Sequence, residues 1–125
     1  MTDEPFRLEM HDDIAVVRPC GRIALDHVIA RITAAIESAR RQGIRKMLLV
    51  TTQLEDLRAP GDGTRVFLSR EWALAAGGTV NIAVVARPEL IDPQKIGVIV
   101  AKNFGASVDV FTAEADALAW LRRIR

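Results

Sequence analysis

At 125 residues, half of them hydrophobic and 26% charged, the chain has the composition of one folded domain, which excludes a disordered or low-complexity segment. Seventeen Lys and Arg against sixteen Asp and Glu leave a formal charge of +1, too small for a general attraction to nucleic acid. A single cysteine, Cys20, rules out an internal disulfide, the start MTDEPFRLEM lacks the regions of a signal peptide, and no apolar run reaches the ~18 residues of a membrane span; a reducing cytoplasm is the expected setting.

Phe6, Leu8 and Met10 alternate with Arg7, Glu9 and His11, the period of a strand with one wet face. Asp12-Asp13 interrupts the pattern and IAVVRPCG resumes it, so the two runs read as a hairpin. From Asp26, an expected N-cap, Val28, Ile29, Ile32, Ile36 and Ala39 recur at helical spacing, and Gly43 stands where a left-handed C-cap is wanted. IRKMLLVTT has the length and character of a buried strand. After the loop LRAPGDGTR, a second helix is expected to bury Val66, Phe67, Leu68, Trp72, Leu74 and Ala75 and to stop at Gly77-Gly78.

NIAVVA is the next strand, apolar on both faces as in the middle of a parallel sheet. Asp92-Pro93 supplies an N-cap followed by proline at the first helical position, and Ile96, Ile99, Val100 and Phe104 form the expected buried stripe of a third helix ending at Gly105. VDVF is the last strand. Thr112 is the expected cap of a final helix carrying Ala117, Trp120, Leu121 and Ile124, with Arg122, Arg123 and Arg125 in its last turn, where cations suit the helix dipole.

The order β-β-α-β-α-β-α-β-α predicts a single α/β domain over residues 1–125, with a mainly parallel five-stranded sheet and four helices. Right-handed crossovers between successive neighbouring strands place every crossover helix on one face of the sheet. The opposite face then needs a cover; part of the first hairpin could curl over it, but a second subunit is the expected cover, and a homodimer is predicted.

This order, together with ARRQGIRKMLLV, REWALAAGGTVNIAVVARPELIDPQKIGVIVAKNFG and VDVFTAEADALAWL, resembles the STAS superfamily. The fold implied is the SpoIIAA-like one, and the similarity extends to small bacterial STAS-like proteins, among them a STAS/SEC14-like group. In partner-switching members the third strand leads to an Asp-Ser-Ser-Gly or Asp-Ser-Thr-Gly loop whose hydroxyl is phosphorylated. APGDGTR occupies that place here: Asp62 stands for the motif aspartate and Thr64 is the nearby hydroxyl, but Gly63 separates them and no glycine follows.

Three readings of the loop stay open. Pro60-Gly61 with Asp62 or Thr64 as N-cap is ordinary turn chemistry. Alternatively, Gly61 and Gly63 free backbone N–H groups at the start of the second helix to cradle an anion at the carboxyl ends of the strands, where Thr51, Thr52, Arg22 and Arg87 gather and where Arg58 and Arg65 flank the loop. Third, Thr64 is a regulatory phosphorylation site. The resemblance to the SEC14-like group adds a lipophilic ligand between helices and sheet, lined by Trp72, Phe67, Phe104 and Ile99.

Other chemistry is weaker. His11 and His27 lack further ligands at metal spacing, so no metal is expected, and no cofactor motif is present. Cys20, between Pro19 and Gly21, reads as a small buried hydrophobe rather than a nucleophile paired with His27. The expected function is a non-enzymatic, STAS-like regulatory module that binds a protein partner through the loop and helix after the third strand; the alternative is binding of a small anionic or lipophilic ligand at Thr51, Thr52, Arg58, Asp62, Gly63, Thr64, Arg65 and Arg87. Neither nucleic acid nor a membrane span enters either reading.

Overall fold

The computed structural model describes residues 6–124; residues 1–5 and Arg125 lie outside the described residues. Strands β1 (Glu9–His11), β2 (Ile14–Val17), β3 (Lys46–Val50), β4 (Asn81–Val85) and β5 (Val108–Phe111) form one sheet in sequence order. Helices α1 (Leu25–Arg41), α2 (Asp62–Ala76), α3 (Ile96–Asn103) and α4 (Glu114–Arg123) complete the α/β architecture.

The sheet is mixed, which corrects the expected mainly parallel one. The Asp12-Asp13 turn reverses the chain, so β1 pairs antiparallel with β2, whereas β2 through β5 run parallel. In the parallel part Leu48 lies opposite both Val16 and Ala83, and Val84 opposite Val110, so the carboxyl ends of β2 to β5 reach one rim.

Side chains of a strand alternate between faces, and here the alternation separates two cores. Val17, Met47, Leu49, Ile82 and Val84 pack under α1 and α2 with Val28, Ile32, Ile36 and Trp72. Ile14, Val16, Leu48, Val50, Ala83 and Val85 point the other way and are covered by Ala117 and Leu121 of α4, with Phe111 and Trp120 at the margin. The last helix therefore turns under the sheet and closes the face for which a second subunit was expected. With Ile14, Leu48, Val50 and Val85 each no more than 3% exposed, the premise of the homodimer is removed.

Several helix starts differ from expectation because backbone and distant groups, not the nearest capping residue, define them. α1 begins after Ala24, which puts Asp26 in its first turn, where its carboxylate accepts from the His27 N–H. α2 begins after Gly61, and neither Asp62 nor Thr64 caps it. α3 begins three residues beyond Pro93; Asp92 reaches across that interval and accepts from the N–H groups of Gln94 (3.2 Å) and Ile96 (2.9 Å). α4 follows Ala113 rather than Thr112. At the end of α1 the expectation holds: Gly43 has φ +76°, a conformation cheap only for glycine, and the chain turns there so that Ile44 N–H bonds back to Ala39.

The stripes of α2 and α3 are also rotated from those expected. α2 buries Ser69, Trp72, Ala73, Ala75 and Ala76, leaving Val66, Phe67 and Leu74 exposed. α3 buries Ala101, and Ile99 and Phe104 stand in solvent. Helices meet closely through small residues: Ala73 packs on Ala101 and Ala106, and Gly97 faces Ser69. On β1 Met10 is exposed, while Phe6 lies in the core.

Candidate functional site

After β3 the chain does not enter α2 directly. It first crosses the rim, where the Gly21 and Gln53–Glu55 backbones pair: Gly21 N–H donates to Gln53 (3.2 Å) and Glu55 N–H to Gly21 (2.9 Å). Leu54 is thereby driven into the core at 2% exposure. Arg87, at the end of β4, donates through Nη2 to the Leu54 carbonyl, while its Nε is buried with no hydrogen-bond partner among the described residues. Thr51 donates its hydroxyl to the Val85 carbonyl at 2.9 Å. These bonds hold the loop as a strap across the strand ends.

Beneath the strap lies a pocket of about 150 Å³ between the sheet, α1, α2 and α3. Its wall is apolar, built from residues such as Ile29, Ile32, Leu68, Trp72, Val84 and Val110. The charged lining groups are Arg58, Arg65, Asp92 and Lys95. Arg65 donates to two backbone carbonyls, of Pro60 (3.1 Å) and Leu90 (3.3 Å), and so ties the loop to the turn that precedes α3. Lys95 pairs with Asp109 at 2.8 Å. Asp92 is held below the ordinary carboxylate range, chiefly by the N–H of Ile96, with Gln94 N–H and the Arg65 charge adding to the effect. Arg58 is exposed and makes no hydrogen bond or ion pair among the described residues.

One polar group sits within this apolar wall. Ser69 is 6% exposed, lines the pocket, and its hydroxyl makes no hydrogen bond among the described residues. It stands one helical turn after Arg65 and one before Trp72, so three successive turns of α2 carry the lining from charged to hydroxyl to aromatic. Sequence reading missed Ser69, Asp92 and Lys95. The signal for Ser69 was a polar residue four after Arg65 and three before Trp72, on a face otherwise made of apolar side chains.

The expected site residues are divided by the fold. Thr51, Arg58 and Arg65 meet at the pocket; Thr52, Asp62, Gly63, Thr64 and Arg87 do not line it. Thr52, Asp62 and Gly63 are exposed, and Thr64 is half-buried in the first turn of α2. Arg22 pairs instead with Asp56 (3.0 Å) in solvent. Of the expected lipophilic lining only Trp72 is present, since Phe67, Phe104 and Ile99 point outward at 48%, 48% and 55% exposure. Cys20 is exposed, not buried, because β2 ends at Val17 and the following residues leave the sheet. Among the described residues no group of three His, Cys, Asp or Glu is placed to hold a metal, and no helix is long and apolar enough to cross a membrane.

No protein-family model matches the chain, and no curated protein matches it. Among solved structures it is similar to one titled "NMR Structure of the protein TM1081", with 14% identity, 94% of this chain and 89% of that chain covered, and a TM-score of 0.52. At that identity the likeness concerns the fold alone.

Proposed function

We propose that this protein is a non-enzymatic, STAS-like binding module whose pocket between sheet and helices holds a small, largely apolar molecule. The pocket itself carries the reading. A volume of about 150 Å³ accepts a body the size of a benzene ring, and Trp72, Leu68 and Ile32 make most of this wall apolar beside the few polar groups named above. Ligands of open α/β sheets favour the crevice beyond the strands' carboxyl ends, where this pocket opens. For so few contacting atoms the dissociation constant falls roughly between millimolar and micromolar.

The experiment is an NMR titration with ethylbenzene. The two tryptophans serve as probe and control: Trp72 lines the pocket and Trp120 packs on Phe111 at the other face, with ring centroids 5.8 Å apart. Binding shifts the Trp72 indole signal and leaves Trp120 in place. No shift at millimolar ethylbenzene would discard the reading.

A second reading rests on a different observation. Val66, Phe67 and Leu74 expose 41%, 48% and 59% of their surface on α2, the helix after the loop, which suits binding of a protein partner there. Phosphorylation of Thr64 would belong to this reading, because a phosphate in the first turn of a helix is favoured by its dipole. Crosslinking from position 67 in the native cell tests it: one specific product, lost on Leu74→Glu, is expected, and a diffuse pattern counts against it.

A further inference from the structure

Donors and acceptors at the pocket are out of balance. Three cations line it against one carboxylate, Asp92, whose two oxygens accept from the backbone N–H groups of Gln94 and Ile96. Lys95 is matched by Asp109 outside the lining. Arg65 spends two N–H groups on carbonyls and, as a guanidinium has five, keeps others. Arg58 has spent none, and the hydroxyl of Ser69 has no protein partner among the described residues. The hydroxyl is not one of the fully buried unpartnered atoms, a description that fits Arg87 Nε among the described residues; it opens on the pocket, where it can donate to an acceptor that arrives with a ligand.

Resting on the pocket reading above, we infer that the ligand is a small carboxylic acid: an apolar body against Trp72 and Val84, and a carboxylate that accepts from Ser69 and from the Arg58 guanidinium. The stripe along α2 sets the orientation, since Arg65 is at the loop end, Ser69 one turn on and Trp72 beyond it. A ligand amine meets three cations there against the single carboxylate of Asp92. Gly97 belongs to the same arrangement. A Cβ at that position would stand 2.7 Å from Ser69 Oγ, so glycine leaves the hydroxyl the space from which it faces the pocket.

The test compares phenylacetate, 2-phenylethylamine and ethylbenzene, which share one body and differ in the end group, by the shift of the Trp72 indole signal in the full chain. Phenylacetate is expected to bind at least about tenfold more tightly than ethylbenzene, the scale of a hydrogen bond to a charged group, and the amine more weakly than either. Arg58→Ala and Ser69→Ala should each remove most of that preference, read as the ratio of phenylacetate to ethylbenzene affinity within the same variant. Ser69→Ala should not lower the thermal midpoint, because no protein hydrogen bond is lost; a hydroxyl with a merely structural role would lower it. Equal binding of phenylacetate and ethylbenzene, or tighter binding of the amine, overturns the acid assignment while the pocket reading survives. A phenylacetate preference that persists in both variants overturns the roles of Arg58 and Ser69. If none of the three compounds moves Trp72, both inferences fall together.

Discussion

On the α4 side of the sheet, Ile14, Val16, Leu48, Val50, Ala83 and Val85 meet one helix through Ala117 and Leu121, and the layer is filled. On the other side three helices span the same strands, yet they diverge at the carboxyl rim and leave a pocket with a hydroxyl in its wall. Both faces are equally apolar along the strands. The difference comes from what covers them: α4 is held across the sheet, whereas α2 and α3 come together through Ser69, Ala73, Gly97 and Ala101, residues too small to fill the space between their bodies and the strand ends. Small residues bring helices close to each other and thereby keep bulk out of the layer below. One face stabilises the fold, and the other gives up some packing for room.

The comparison is broken most severely at Leu121, which is fully buried. Leu121→Ala should cost about 2–5 kcal/mol in chemical denaturation, and by loosening the cover over Val50 and Val85 it should also produce self-association visible in sedimentation. Adjacent residues of β4 offer a sharper contrast. Val85→Ile adds a methylene to the filled face and should destabilise by about 1–3 kcal/mol; Val84→Ile adds the same group toward the pocket, should cost little, and should weaken ethylbenzene binding.

The contact between α2 and α3 can be tested as a cycle. Gly97→Ala should destabilise by about 1 kcal/mol with Ser69 in place and by nearly nothing in a Ser69→Ala background, the coupling expected of two groups competing for one space. Additive effects would show that the helices simply move apart.

The smallest effect concerns the fastening of α4. Arg18 donates to both carboxylate oxygens of Glu114, at 2.6 and 2.8 Å, and this bond holds the Glu114 carboxyl below its ordinary range. A lowered folded value means that the contribution is present above the ordinary carboxylate range and fades as pH falls through the lowered one. Since both side chains are more than a third exposed, Glu114→Gln should lose under about 1 kcal/mol at neutral pH and flatten the acid limb of the stability profile.

How far each feature could be read in advance follows from the range of the interactions behind it. The five strands and four helices are local patterns of period 2 or 3.6, and all were legible, as was the turn at Gly43. Helix starts were misread at Asp26, Asp92-Pro93 and Thr112 because a good capping residue is only one of the groups that can satisfy free N–H donors; Asp92 does so from outside the first turn. The rotation of α2 and α3 was misread because both helices carry apolar residues around much of their circumference, and periodicity then does not say which stripe is inward. Of the site, Arg58, Arg65, Thr51 and Trp72 were named beforehand, although for separate reasons.

By itself, then, the amino-acid order determined the succession of elements and the alternation within each strand, since these depend on neighbours along the chain. Tertiary structure alone decided that α4 passes beneath the sheet, that Phe67 and Phe104 face solvent, and that Ser69 lies unpartnered beside Gly97 above a pocket. Those outcomes rest on how volumes from distant segments fill or fail to fill a shared space, and no single segment contains that information.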